Sequence, residues 1–208
     1  VSYLLNFTYR SVGKDHVTRE EILEVAAQIF RQKGFHAASM QEIADAVKLR
    51  KASLYYHVSS KQEILHNLMD LAMDYLIERT HAIFIQPTSP QARLQEAIHR
   101  YLEALTEYPD LANVLLLEFR SLEPDFQAHH QPRRAQFERL WRDLIQEGIQ
   151  SGAFRSTDAS MAAKILLGSI HWTITWYRPD GPMPIVQIAE TYTQLLLNGL
   201  LQCPPISP

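Results

Sequence analysis

Residues 43–58 read IADAVKLRKASLYYHV, and the fold turns on how this stretch is divided. Ile43, Ala44, Val47, Leu49 and Leu54 form a packing set, and Arg50, Lys51, Ser53, Tyr55, Tyr56 and His57 fall between or beyond them. That pattern predicts two short helices, Met40 to about Ala46 and Lys51 to His57, joined by a tight turn at Val47-Lys48-Leu49: a helix-turn-helix. DNA reading needs such a short helix, with some side chains reaching base edges while their neighbours anchor on phosphates. The residues alone leave a second reading open, in which the tyrosines are core and Arg50 and Lys51 are solvated surface.

On either side of this stretch, Thr18 with Glu21, Ser39 with Glu42 and Ser60 with Glu63 each have Ser/Thr-x-x-Glu spacing. There the hydroxyl accepts from the fourth residue's N–H while the carboxylate reaches back to the cap, so each marks a helix start. Ile22, Val25, Ala26, Ile29 and Phe30 recur at helical spacing, and Gly34 supplies the positive φ that closes this first helix. Downstream, a fourth helix is predicted from Lys61 towards Phe84, ended by Pro87 and Pro90. A fifth runs from Ser89-Pro90 to Tyr108-Pro109, and a sixth covers Leu111 to Phe119. Glu123 to Pro132 reads as a polar loop before a long seventh helix that ends near Gly152. An eighth runs from near Thr157 to Arg178-Pro179, and a ninth from Pro184 to Leu201. No segment alternates with period two, so the fold class is all-α with about nine helices.

From Thr18 to about Leu68 the chain resembles the DNA-binding module of the TetR family of bacterial transcriptional regulators. The likeness rests on Ile22-Leu23-Glu24-Val25-Ala26-Ala27-Gln28-Ile29-Phe30, Gly34-Phe35, Ile43-Ala44, Leu54-Tyr55-Tyr56-His57-Val58, and Lys61 with Ile64-Leu65. Three positions depart from the family pattern: Lys48 replaces the turn glycine, Arg50 a small cap, and Val58 a phenylalanine. Lys48 must then take a left-handed conformation at some cost, or the turn is altered. The resemblance implies that Arg50, Lys51, Ser53, Tyr55, Tyr56 and His57 lie on or at the start of the recognition helix, and that Lys61 meets a phosphate. Arg19, Ser39 and Gln41, near the starts of helices one and two, could add backbone contacts. Arg10 and Lys14 would extend a basic arm or a disordered tail.

The charge distribution agrees with a DNA-binding front end. The net charge is −3, but residues 1–63 hold nine Lys/Arg against seven Asp/Glu, and the remainder holds 11 against 16. The 208 residues are 46% hydrophobic and 21% charged, an ordinary globular balance. Glycines occur only at 13, 34, 148, 152, 168, 181 and 199, which excludes a glycine-rich nucleotide loop. The lone Cys203 can form neither an internal disulfide nor a thiolate cluster, consistent with a reducing cytoplasm. The longest strongly apolar uncharged stretch, Ile165 to Tyr177, falls short of the roughly 20 residues that span a bilayer, so no membrane partner is expected. Ser151 and Ser169 lack a nucleophile-elbow context, and Glu190, Asp158 and His171 assemble into no triad at the sequence level. No enzyme and no cofactor are expected.

These observations divide the chain into an extension (1–17), a DNA-binding domain (18–65), an effector-binding and dimerisation domain (66–203) and a tail (204–208). Ala162, Ala163, Leu166, Leu167 and Ile170, with Ile188, Leu195, Leu196 and Leu197, form apolar faces large for one short chain. The resemblance implies that these last two helices pair with their two-fold mates in a homodimer on palindromic double-stranded DNA. Aromatic and polar residues of the body, His99, Tyr101, Leu102, Phe119, Arg120, Phe137, Trp141, His171, Trp172, Trp176 and Arg178, are candidates for holding a small hydrophobic effector. Phe137 to Phe154 and Trp176 to Gly181 resemble a TetR subgroup controlling fatty-acid, steroid or aromatic-acid degradation. That resemblance implies an acyl-CoA effector, with Arg120, Arg133, Arg134 and Arg178 as cations near the pocket mouth. A hydrophobic drug sensed in efflux control is the alternative, and a helical protein-interaction adaptor a more distant one. His129-His130 with Asp125 lack a third fixed partner at ligand spacing, so no metal site is expected.

Overall fold

The computed structural model describes residues 17–200. The expected basic arm with Arg10 and Lys14, and Cys203, lie outside the described residues. The helices are α1 (Arg19–Lys33), α2 (Met40–Ala46), α3 (Lys51–His57), α4 (Lys61–Phe84), α5 (Pro90–Glu107), α6 (Pro109–Leu117), α7 (Pro124–Gln150), α8 (Ala159–Trp176) and α9 (Ile185–Leu200), with a 3-10 turn at Phe119–Ser121. There is no strand among the described residues. Among the described residues no helix is long and apolar enough to cross a membrane.

The cap signals fix the N-terminal helices. Both halves of the capping box form at Thr18/Glu21 and at Ser39/Glu42. At α4 only one half forms: Glu63 N–H donates to Ser60 Oγ at 3.0 Å, while the Glu63 carboxylate reaches one residue further back, to Ser59 N–H and Oγ. Gly34 closes α1 with φ 82° and ψ 156°, a region that essentially only glycine occupies. Lys48 has φ 58°, alone among the described non-glycine residues in being positive. The left-handed turn therefore forms with a lysine, at a cost of roughly 1–2 kcal/mol.

By their contacts, the residues form two compact units, the first running to Tyr75 and including Asp110–Gln131, the second holding Leu76–Pro109 and the chain from Pro132 onward. A single cut of the chain does not foresee this interleaving, and its cause is specific. In the first unit, Arg31 pairs with Asp110 at 3.0 Å, and Phe35 N–H donates to Glu118 Oε1 at 3.0 Å. Gln62 donates to Ser121 O at 2.8 Å and accepts from Glu123 N–H at 3.1 Å. Its core is Ile22, Phe30, Ile43, Leu54, Ile64, Leu65 and Leu68, all fully buried.

In the second unit, α5 packs against α8 and α9. Its core includes Leu94, Ile98, Leu102, Trp141, Ile145 and Ile170. Arg93, buried, donates to Phe84 O at 2.6 Å and pairs with Glu147, satisfying the carbonyl end of α4. A Cβ on Gly148 would lie 2.1 Å from the buried ring of Phe154, so the close approach of α7 to that ring requires glycine.

One element departs from the sequence reading. Glu123 to Pro132 is no loop: α7 begins at Pro124 and continues through Pro132. An interior proline costs a helix about 3 kcal/mol. Packing on the same turns opposes that cost, because His130 is 2% exposed and Phe126 stacks on His66 with ring centroids 4.5 Å apart.

Candidate nucleic-acid interface and effector cluster

On α3 only Leu54 is buried; Lys51, Ala52, Ser53, Tyr55 and Tyr56 are exposed and His57 is half-buried. Leu54 seats the helix, with Val58 and Val47 buried on either side of it in sequence. Tyr56 is 90% exposed, and the His57 ring meets its edge at 5.6 Å. A phenol so exposed contributes nothing to a core, which removes the packing reading left open for Tyr56. Tyr55, at 45%, is intermediate between the two roles. Arg50 occupies the N-cap without a side-chain cap bond, leaving its guanidinium beside the helix start. Among the described residues, Arg50, Lys51 and Ser53 have no side-chain partner in this chain.

The other four candidates are engaged within the protein. Arg19 pairs with Glu63, Gln41 donates to Asp45 at 2.8 Å, and Ser39 is the cap of α2. Lys61 differs most from its expected role. Its Nζ donates to Phe35 O at 2.8 Å and Ala38 O at 2.6 Å, with His36 O at 3.4 Å, and it sits 4.4 Å from the centre of the Phe35 ring. The ammonium thus ties the α1–α2 connection to α4. Burial lowers its pKa, against the opposing pull of Glu118 and Glu42.

Within the second unit the structure brings together four of the expected effector residues. Tyr101 Oη lies 2.7 Å from His171 Nε2, and the Tyr101 ring meets Phe137 at 5.4 Å and Trp141 at 5.9 Å. Burial, and then the charge of Arg134, hold the His171 pKa down to about 4. Burial raises the Tyr101 phenol well above its ordinary value. Neutral His171 therefore serves as donor or acceptor, with Arg134 as the local cation. Trp141 Nε1 and His99 Nε2 are buried polar atoms without a hydrogen-bond partner among the described residues, a cost that a ligand or water removes. Leu102 is fully buried in the same unit.

The remaining effector candidates are elsewhere. Phe119 and Arg120 belong to the 3-10 turn of the first unit. Trp172, Trp176 and Arg178 are exposed. Trp172, at 67%, continues a stripe on α8 formed by Met161, Ile165, Gly168 and Trp176. These recur at steps of four and three and therefore share one helix face. The expected pairing residues Ala163, Leu166, Leu167, Ile170, Ile188 and Leu197 are instead buried inside the protomer. Of the residues expected on α9, Leu195 is exposed, at 69%, and Gly199 lies one turn on with open space around it.

Comparison with known proteins covers both ends of the chain. Residues 22–68 match the model of the bacterial regulatory proteins of the tetR family, and residues 87–200 match that of the tetracyclin repressor-like C-terminal domain. The chain belongs to the TetR family. It is a transcriptional regulator whose α2 and α3 form the family's DNA-binding helix-turn-helix. The HTH-type transcriptional repressor KstR2 of Mycobacterium tuberculosis is 30% identical over 199 residues, covering 92% of this chain and 96% of that protein. The solved structure of that ketosteroid transcriptional regulator superposes with a TM-score of 0.83 at 28% identity, covering 93% of this chain and 100% of the other. AibR in complex with isovaleryl coenzyme A and operator DNA superposes with a TM-score of 0.81 at 27% identity, covering 86% of this chain and 97% of AibR.

Proposed function

We propose that this TetR-family protein is a ligand-responsive repressor that binds a palindromic operator as a homodimer and is released from it by an acyl-CoA. The observation that carries the reading is the pairing of an exposed, seated recognition helix with an aromatic cluster in the other unit that keeps polar groups inside. Tyr101, His171 and Arg134 offer a donor or acceptor pair and a cation among Phe137 and Trp141, the lining expected of a site for an apolar chain with a polar head. Two structural relatives support the class: one is named for ketosteroids, and one was solved with isovaleryl coenzyme A. Homodimerisation rests on a two-turn helix reading too few bases alone, and on the apolar α8 stripe that the protomer leaves uncovered. Such a protein works on the chromosome, in the bacterial cytoplasm.

A second reading has its own support. AibR was solved with its acyl-CoA and its operator together, so in that protein the two are compatible. An acyl-CoA acting here as co-repressor would use the same cluster with the opposite sign. The test is fluorescence anisotropy on the palindrome nearest the protein's own promoter, titrated with and without short-, medium- and long-chain and alicyclic acyl-CoAs, free acids and hydrophobic drugs. Weaker operator binding with an acyl-CoA supports release, and tighter binding supports co-repression. A response to drugs alone overturns both in favour of efflux-type control, and no operator binding at all overturns the DNA-binding reading.

A further inference from the structure

His66 and Asp70 stand one turn apart on α4, and His129 and His130 are adjacent on α7, all within the first unit. The three imidazoles form a nearly equilateral group, with ring centroids 4.9 Å (His66–His129), 5.0 Å (His66–His130) and 5.2 Å (His129–His130) apart. Imidazoles on one tetrahedral ion with metal–nitrogen bonds of about 2.0–2.1 Å place their nitrogens roughly 3.3 Å, and their ring centres roughly 5 Å, apart. His66 Nδ1 and His130 Nε2 already face each other at 3.0 Å.

Asp70 is in contact with all three rings. Its Oδ2 is 3.4 Å from His66 Nε2, and its Oδ1 is 3.6 Å from His130 Nδ1 and 3.3 Å from His129 Nε2. A carboxylate beside a ring nitrogen favours the proton on that nitrogen, the arrangement that orients metal-bound histidines. In the metal-free protein one of the two facing nitrogens donates to the other, and a cation that takes both as ligands moves that proton to the ring's far nitrogen, which faces Asp70. Ligand atoms of His66, Asp70 and His130 all lie within 4.8 Å of one another, close enough for one ion with small side-chain rotations. His130 is 2% exposed, whereas His129 is half exposed and provides the open side.

We propose that His66, Asp70 and His130, with His129 at the rim, bind a divalent transition-metal ion, zinc(II) by the chemistry of imidazole and carboxylate donors, clipping the first turns of α4 to those of α7. The sequence reading overlooked this because His129-His130 appeared to sit on a loop, and the i,i+4 pair that completes the group lies far away along the chain. The nearby Asp125 is not part of it.

The test uses full-length protein without an affinity tag, stripped with a chelator and titrated with zinc chloride by calorimetry. A parallel cobalt(II) titration reads the visible absorption of a tetrahedral site. One ion per chain, a raised melting temperature and a cobalt spectrum are expected. His66→Gln and Asp70→Asn should each bind zinc 10- to 100-fold more weakly. His66→Gln also removes the stack on Phe126, so Asp70→Asn is the variant that leaves the packing intact, and circular dichroism checks that both fold. No zinc uptake by the stripped wild-type protein at micromolar concentrations, or equal uptake by wild type and both variants, would overturn the proposal.

Discussion

Replacing Lys61 by methionine separates two roles that the sequence pattern cannot distinguish. Methionine keeps most of the aliphatic stem against Phe35 and removes the ammonium, leaving the carbonyls of Phe35 and Ala38 without their donor. Hydrogen bonds to a charged group contribute about 1.5–3 kcal/mol each, and these carbonyls are only part-buried, so water recovers some of the loss. The net destabilisation should be about 2–3 kcal/mol. With a urea m-value of about 2 kcal/mol/M, the midpoint falls by roughly 1 M, measured at fixed protein concentration because dimerisation shifts it. The second assay is operator affinity against salt. A phosphate contact releases counterions, and its loss lowers the slope of log K against log salt by about 0.9 per protomer. Because the ammonium is already bonded to the carbonyls of Phe35 and Ala38, the folded variant should keep the wild-type slope. A slope reduced by that amount with an unchanged urea midpoint would refute the structural role and restore the phosphate contact.

Tyr56→Ala should leave the urea midpoint within about 0.5 kcal/mol of wild type, since the ring is 90% exposed, while operator affinity by anisotropy falls at least tenfold; unchanged affinity would remove Tyr56 from the interface. Ile165→Glu, in the exposed α8 stripe, should convert the homodimer to monomer in light scattering with little change in helix content, and an intact dimer would place the interface elsewhere. His171, with its folded pKa about 4 against an unfolded value near 6.5, makes the unfolded chain bind more protons between those limits. Stability should therefore be full above pH 6.5 and fall by roughly 3 kcal/mol as pH drops to 4. His171→Gln should flatten that part of the urea-derived stability profile, and an identical profile would refute the assignment.

The residues that were legible in the sequence are those whose local signal and tertiary role agree. Thr18, Ser39 and Gly34 mark boundaries through bonds to their own neighbours, so α1 and α2 begin, and α1 ends, where the pattern places them. Lys48 was legible as a strain, and its φ of 58° confirms that the turn keeps its shape despite the missing glycine. Where the sequence misled, a distant partner decided. Pro132 signals a break, but buried His130 and stacked Phe126 hold α7 through it. Lys61 has the position of a phosphate contact, yet carbonyls some 25 residues upstream capture it. Among the tryptophans, Trp141 is fully buried while Trp172 and Trp176 face outward. Helical spacing groups residues on a face without saying which way that face points, so Trp172 and Trp176, expected around an effector, lie exposed, while Leu166 and Ile170, expected at a pairing face, lie buried.

The size of the coupling the protein requires can be compared with what the cluster around Tyr101 can supply. Changing operator affinity a hundredfold, in either direction, takes an effector that prefers one conformational state by about 2.7 kcal/mol. A neutral hydrogen bond contributes about 0.5–1.5 kcal/mol and one to a charged group about 1.5–3, so exchanging the Tyr101–His171 bond together with a contact to the Arg134 cation reaches that size. An acyl-CoA carbonyl that took the Tyr101 hydroxyl would strip His171 Nε2 of its 2.7 Å partner, and an anionic group beside Arg134 would cancel the charge that helps to hold the His171 pKa down. The second change makes imidazolium easier to form and moves His171 towards its ordinary titration range. Helices α4 and α7 each run unbroken from one unit into the other, so both are covalent routes by which a change in one can bias the other. The bias must be reciprocal: saturating operator changes effector affinity by the same factor and with the same sign as effector changes operator affinity. A cluster that bound acyl-CoA equally well with and without operator would be a site uncoupled from DNA, however complete its lining.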